Sequence, residues 1–495
     1  MENLSKFYIS TKAKFILLIL IIGVISFFTY FRDYANPAKP FWDEYFYIGM
    51  SQHYIDGVFF MDNHPPLGKL LIAAGEKLLQ PNKNIDVHFF TETRKIPYFP
   101  QGYSFAGVRF FPTLLASLSA ILFFLILFEL TGYPFLSFIF TGLYLFENAN
   151  IVHSRGALLD GVEIFFILLL FTLFVFASRS REKILSQKWF IFMGLAFGLA
   201  ISTKLSGLVF FCLPLFLVVK NAQNHKGKNY LTKIWKTYFL QLGIFLLTGF
   251  MTFFIVYCIH FSLTGKIVNN YYSASNEYKL LIKQGQTMNL LTFPLQLKEH
   301  LLYILFFEKN VSKLSKSDLG ISGSLPTSWP FGIKSIEYRS ETDNETGNYL
   351  YLQGNPVIWM FGLASLIITS IVIFSVIVFK NKIRNKTIYF FLVLLLILYF
   401  GYMGAMMTLS RVMFLYLYFI PLILCLFMGV LLIVYFFENE LKKRNPWIYF
   451  ACIAYIAIVF LSYIFFSPFT YYLTLTRDQF LQRSLFGFWK LKPII

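Results

Sequence analysis

Directly after the first apolar run of the chain stands Trp42-Asp43-Glu44-Tyr45, followed farther along by Asp62-Asn63-His64-Pro65-Pro66-Leu67-Gly68-Lys69. Adjacent carboxylates beside a bilayer carry a desolvation cost, so a chain that keeps them there has a use for them. The second stretch adds an acid, an imidazole and a lysine around a rigid Pro-Pro corner. Together these groups suit proton abstraction from a hydroxyl next to an anion site, at a membrane surface. Four further cationic positions stand at the ends of apolar runs: Arg109 in Gly107-Val108-Arg109-Phe110-Phe111-Pro112, Arg155 in Ser154-Arg155, Lys204 in Ser202-Thr203-Lys204-Leu205-Ser206-Gly207, and Arg411. Asp160 follows Arg155 within two helical turns. Each has a plainer reading. Asp43 and Glu44 fit a solvated surface pair, His64 a turn residue, and Arg155 with Asp160 a structural ion pair. Arg109, Lys204 and Arg411 fit side chains that snorkel from a buried stem. What favours chemistry is that Asp43, His64, Arg109, Arg155, Asp160, Lys204 and Arg411 all come out on one face of the membrane.

The elements that position these residues follow from composition. Of 495 residues 57% are hydrophobic, and Phe alone numbers 62, more than a soluble domain of this length needs. Eleven apolar runs, near the roughly 20 residues that cross a hydrocarbon core, lie at 15–31, 108–130, 134–149, 158–177, 189–203, 207–220, 237–260, 356–379, 387–408, 412–436 and 447–466. The expected fold is an all-α polytopic membrane protein. The first run lacks a small-residue cleavage site and is read as an uncleaved span. Basic residues cluster on one side: Lys6, Lys12 and Lys14; Arg179, Arg181, Lys183 and Lys188; Lys220, Lys226, Lys228, Lys233 and Lys236; Lys380, Lys382, Arg384 and Lys386; Lys442, Lys443 and Arg444. The positive-inside rule puts these turns in the cytoplasm and the long loops 32–107 and 261–355 outside. The net charge of +18 is then topological bias plus attraction to anionic lipid headgroups. Scattered over separate turns, it does not form the groove a nucleic acid would need.

Cys212, Cys258, Cys425 and Cys452 all fall inside predicted spans and read as small buried hydrophobes. No histidine set reaches zinc-ligand spacing, no Gly-rich phosphate loop is present, and neither metal nor cofactor is expected. In the first outer loop, Phe46, Tyr47, Met50 and Tyr54 form an apolar stripe at helical spacing with Gly57 as its stop. After the prolines, Leu67, Leu70, Leu71, Ala74 and Leu78 predict an amphipathic helix with Pro at its start. Both are too short to span and are expected in the interface plane. There they would hold Asp43, Glu44, Asp62 and His64 at the depth of a lipid phosphate.

The stretch Phe41-Trp42-Asp43-Glu44-Tyr45 with Phe59-Phe60-Met61-Asp62-Asn63-His64-Pro65-Pro66-Leu67-Gly68-Lys69 closely resembles the first lumenal loop of protein O-mannosyltransferases, membrane glycosyltransferases of the GT-C superfamily. Similar stretches continue through Arg109-Phe110-Phe111-Pro112, Ser154-Arg155 with Leu159-Asp160, and Ser202-Thr203-Lys204-Leu205-Ser206-Gly207-Leu208. Ser328-Trp329-Pro330, Gly354-Asn355-Pro356-Val357-Ile358-Trp359, and Arg411 through Tyr418-Phe419-Ile420-Pro421 complete the set. The loop 261–355 is too short for the β-trefoil (MIR) domain of eukaryotic members beside the family's ends, so the chain resembles a bacterial form. Two motifs depart from the family: Tyr45-Phe46-Tyr47 stands where a His follows the acidic pair, and Tyr416-Leu417-Tyr418-Phe419-Ile420-Pro421 lacks the late His.

The resemblance implies a polyprenyl-phosphate-linked sugar donor, most simply mannose, and Ser/Thr hydroxyls of exported proteins as acceptors. Such a donor suits the outer face, where nucleotide sugars are absent. One ionised carboxylate suffices as general base, and a single displacement inverts the anomeric centre. On this reading Asp43 is the base and Glu44 its catalytic neighbour. Glu44 and Asp62 shape the site or bind sugar and acceptor, His64, Arg109, Lys204 and Arg411 face the lipid phosphate, and Arg155 and Asp160 are further substrate-binding residues. The organisation expected is a catalytic transmembrane module over 1–260, an extracytoplasmic loop over 261–355 and a C-terminal transmembrane region over 356–495, in the inner (cytoplasmic) membrane. Dimers occur in the family, so a second copy is among the partners the resemblance allows. Two other readings compete: a GT-C transferase acting on lipid or polysaccharide, as aminoarabinose transferases do, and a secondary transporter. The transporter is disfavoured, because no internal repeat and no deep intramembrane charge path is legible.

Overall fold

The computed structural model describes residues 11–494 apart from 181, 183–184, 224–227, 269–273, 288, 290, 311–322, 344 and 410. Lys6, Arg181, Lys183 and Lys226, named above, lie outside the described residues. Every apolar run becomes helix, since a segment in hydrocarbon must satisfy its own backbone groups. After α1 (Thr11–Phe31) come two short outer helices, α2 (Glu44–Asp56) and α3 (Leu67–Leu79), and then α4 (Ala106–Thr131). Next are α5 (Pro134–Leu145), α6 (Asn148–Ser154), α7 (Asp160–Arg179), α8 (Gln187–Thr203), α9 (Leu213–Gln223) and α10 (Lys228–Ser262). The second outer region holds α11 (Asn276–Lys283), α12 (Phe293–Asn310) and the strands β1 (Ile336–Asp343) and β2 (Thr346–Leu352). The chain closes with α13 (Pro356–Val378), α14 (Lys386–Met407), α15 (Phe419–Lys442), α16 (Pro446–Tyr471), β3 (Thr474–Thr476) and α17 (Arg477–Arg483).

Among the described residues eight helices are long and apolar enough to cross a membrane, and the α5–α6 pair, bent by 64°, makes a ninth if it is one span. The other two expected spans are short. α8 has 17 residues, which at 1.5 Å each cover about 26 Å against a core of about 30 Å. The apolar stretch from Leu205 begins as 3-10 turns before α9. The bend between α5 and α6 is a built corner. The buried Glu147 carboxylate accepts from Asn150 N at 2.6 Å, Asn355 N at 2.9 Å and Trp359 Nε1 at 3.0 Å, which caps α6 and ties it to α13.

α15 is the buried axis of the bundle, whereas α1, α13 and α16 turn Leu20, Phe28, Ile371 and Leu461 outward, as lipid-facing helices do. α8 and α10 approach closely through small residues. A Cβ on Gly194 would lie 2.5 Å from the Phe245 carbonyl oxygen, and one on Gly198 2.5 Å from that of Gly249. Contact of this kind, rather than a hydrophobic drive, joins helices in lipid.

In the first long loop α3 keeps one face open, with Leu78 exposed. α2 does not lie on the surface as its stripe predicts. Tyr47 through Tyr54 are all buried, packed under α3 and under Phe90 and Ile96 of the same loop. Gly57 does end it, at φ 73°. The outer loops also carry a small antiparallel sheet in the order β1-β2-β3. A parallel bridge from Val58 to Lys266 joins the two outer loops.

Candidate functional site

Two neighbouring carboxylates go opposite ways. Trp42 takes a left-handed φ of 50°, an uncommon conformation for a bulky residue. It is held by a stack on Tyr338 at 5.1 Å and an edge contact with Phe414 at 5.1 Å. The turn sends Asp43 into a cavity of about 490 Å³ and Glu44 into the protein. Asp43 sits at the N-cap position of α2 without making a cap hydrogen bond, so its carboxylate is not committed to the backbone. Burial first, then the charge of Asp160, pushes its pKa up to about 6, against the opposing pull of Lys204 and Arg411.

The same cavity is lined by Asp62, His64, Asp160, Lys204 and Arg411. Six of the nine residues expected from sequence therefore meet. Asp62 is buried and paired with Lys69, whose ammonium also donates to the His64 carbonyl at 2.6 Å. Burial pushes the Asp62 carboxyl up, but Lys69 holds it below its ordinary value. His64 is lowered to about 3 by burial and by Lys204. It is a neutral imidazole, able to donate one hydrogen bond but not to act as a cation. Lys204 donates to Asp160 Oδ1 at 2.8 Å and lies 5.7 Å from the Tyr416 ring centre.

Three expected site residues are elsewhere, and the structure corrects those assignments. Glu44 has no exposed surface and accepts from Arg109 Nε at 2.7 Å, Arg109 Nη2 at 2.8 Å, Phe41 N at 3.0 Å and Ala157 N at 2.8 Å. Arg109 gives its other donors to the carbonyls of Ala35 at 2.8 Å, Pro37 at 2.9 Å and Lys39 at 3.0 Å. A guanidinium so engaged has no fork left for a phosphate. Arg155 likewise donates to the carbonyls of Tyr30 at 3.1 Å, Thr470 at 3.2 Å and Arg32, over the Tyr471 ring. These three pin the first outer loop and the end of α16 to the bundle. Arg155 makes no ion pair with Asp160.

Sequence reading missed His153, Tyr338 and Arg94. His153 Nε2 lies 2.9 Å from Asp160 Oδ2, its Nδ1 meets the Tyr338 hydroxyl at 2.5 Å, and its ring stacks on Tyr416 at 4.5 Å. Asp160 is thus shared between Lys204 and His153, and Tyr338 of β1 backs the cavity through His153. His153 directly precedes Ser154-Arg155, which was a usable signal; Tyr338 and Arg94 carried none. Arg94 lines the cavity mouth over the Phe307 ring at 4.9 Å. Among the described residues no group of three or more His, Cys, Asp or Glu could hold a metal ion.

An ionised carboxylate in one cavity with a lysine and an arginine, at one end of several spans, can take a proton from a hydroxyl while an anion is held beside it. The chain matches the family model "Dolichyl-phosphate-mannose-protein mannosyltransferase" over residues 20–264. It also matches the "C-terminal four TMM region of protein-O-mannosyltransferase" over 306–489. It is 32% identical over 198 residues to dolichyl-phosphate-mannose–protein mannosyltransferase 4 of Schizosaccharomyces pombe, covering 39% of this chain and 25% of that one. It is 31% identical over 269 residues to mannosyltransferase 1 of Candida albicans, covering 53% and 30%. The matched part thus spans a quarter to a third of the length of these curated relatives. The fold superposes on the Saccharomyces cerevisiae protein O-mannosyltransferase complex bound to its sugar donor with a TM-score of 0.80 at 16% identity, over 98% of this chain and 93% of that one.

Proposed function

This chain belongs to the dolichyl-phosphate-mannose-protein mannosyltransferase family. From that membership and the cavity we propose that it transfers a hexosyl group, mannose in the first instance, from a polyprenyl-phosphate carrier to Ser/Thr hydroxyls of exported polypeptides. The observation that carries the reading is Asp43, an uncapped carboxylate raised to about 6, in one cavity with Lys204 and Arg411. At neutral pH Asp43 is ionised yet basic enough to accept a hydroxyl proton. The acceptor oxygen forms its bond to the anomeric carbon from one side as the bond to the phosphate oxygen breaks on the other, which inverts the centre. The proton goes to Asp43, and the carrier leaves as a phosphate with one more negative charge. Lys204 and Arg411 offset that charge, His64 donates a hydrogen bond to it, and Asp62 and Asp160 orient the sugar and the cations. The cavity opens on the extracytoplasmic side of the inner membrane in this reading.

The test is transfer by the purified protein of radiolabel from polyprenyl-phosphate-mannose to a Ser/Thr peptide, with label expected on peptide. Label on lipid instead would move the function to a lipid-modifying transferase, and none at all would remove it. Orientation is checked with impermeant maleimide on intact spheroplasts, in a cysteine-free background. A cysteine at Asn84 should label and one at Asn381 should not; the reverse puts the cavity on the wrong face.

A further inference from the structure

A second, larger cavity of about 680 Å³ lies outside the transfer site. Its walls are Tyr45, Phe99 and Tyr103, with Pro97 and Pro100 between them and Arg339 of β1 at one end. Arg339 donates to the Pro40 carbonyl at 2.9 Å, which closes that end against the first outer loop. None of the transfer chemistry uses this space. It nonetheless neighbours the transfer cavity, because one loop lines both: Arg94 faces the transfer cavity and Pro97 onward the second. Between them the Lys95 ammonium sits 5.3 Å from the Tyr45 ring centre and 6.0 Å from that of Phe46. Tyr45 belongs to the second cavity, whereas Asp43 and Phe46 belong to the first. A chain lying across Lys95 would therefore touch both.

The wall chemistry selects the ligand. Prolines have no N–H to offer, so this wall cannot pair with a strand. It offers ring faces instead, and aromatic-lined grooves take extended polyproline-type segments, which carry no internal hydrogen bonds of their own and dock at low entropic cost. We infer that this cavity is a docking site for a proline-containing extended segment of the acceptor polypeptide, adjacent to the hydroxyl being modified. The inference rests on the proposed transfer to polypeptides and adds to it a preference for acceptors in which Ser/Thr lies beside proline. The rim residue Tyr98 is 62% exposed and stacked on Phe89 at 4.7 Å, and Gln101 is exposed at the mouth. Neither anchors the fold, so both can be changed without unfolding it.

The experiment is binding of a fluorescent Ser/Thr peptide of about fifteen residues rich in proline to the full-length protein in nanodiscs, without donor, beside transfer to a Ser/Thr tripeptide. Tyr98→Ala, which removes a ring, and Gln101→Trp, which fills the mouth, should each weaken the long peptide about threefold to tenfold, the worth of one aromatic contact. Replacing the peptide's prolines by alanine should weaken it as much on the wild type. Tripeptide transfer should stay unchanged in both variants. Equal binding by wild type and variants overturns the site, as does absence of binding to the wild type. Equal binding of the alanine peptide overturns the proline preference. Loss of tripeptide transfer by the wild type is a separate result and strikes the proposed function alone.

Discussion

Asp43 and Glu44 share a peptide bond and almost nothing else. Glu44 belongs to a closed region, where it and Arg109 use their polar atoms on each other and on backbone groups. Asp43 belongs to an open one, where acids and cations face a cavity of about 490 Å³. Charge alone does not separate the two, since both regions are carboxylates beside cations at the same end of the bundle. Saturation does. A buried pair with every hydrogen bond made is architecture, and breaking one member costs more than the pair contributes. A carboxylate without a cap bond, raised to about 6 beside a cavity, is still available to a ligand. The left-handed turn at Trp42 is what assigns adjacent residues to different regions.

The largest expected effect breaks this comparison at Asp43. Asp43→Asn keeps shape and removes the base, so turnover should fall by about 10²–10⁴-fold with thermal stability unchanged. Near-normal transfer by the purified variant would remove Asp43 from the open region's chemistry. The complementary change is Arg109→Ala, which leaves Glu44 as an unpaired buried charge. Its expected cost is about 3–5 kcal/mol of stability, read as a lower inactivation temperature in detergent. The folded fraction should keep its donor KM. A raised donor KM at unchanged stability would return Arg109 to the phosphate.

The sequence made the helices legible because period and hydropathy are local properties. The start of α3 after Pro66 and the stop of α2 at Gly57 are where the pattern predicts them. It could not show that the 134–149 run is broken, since the cap on α6 depends on Asn355 and Trp359 from a distant segment. For the site, residue type singled out Asp43, Asp62, His64, Asp160, Lys204 and Arg411, which the fold gathers in one cavity. It mistook Glu44, Arg109 and Arg155, because saturation depends on carbonyls that only tertiary structure brings near. Tyr338 was invisible for the same reason: nothing around it in β1 announces a contact with His153.

The pH dependence sharpens the open region. Asp43 must be ionised to act, and its pKa of about 6 lies above the ordinary carboxylate range, so turnover should fall as pH drops through about 6, tenfold per further unit. Lys204 lowers that pKa and Asp160 raises it. Lys204→Met should therefore move the break upward and Asp160→Asn downward, each read from kcat against pH. Breaks that stay fixed in both variants would assign the titration to another group.

The smallest effect tests whether the outer sheet belongs to the open region or merely covers it. Tyr338→Phe keeps the ring stacked on Trp42 at 5.1 Å and deletes only the hydroxyl that meets His153 Nδ1 at 2.5 Å. One hydrogen bond is worth about 0.5–1.5 kcal/mol, so stability should change little. If His153 fixes Asp160, and Asp160 in turn holds Lys204, freeing the imidazole loosens the ammonium that opposes the donor phosphate. Donor KM should then rise a fewfold while the acceptor KM stays constant. Equal changes in both constants, or a change in stability alone, would make Tyr338 a lid for the closed region with no hold on Lys204.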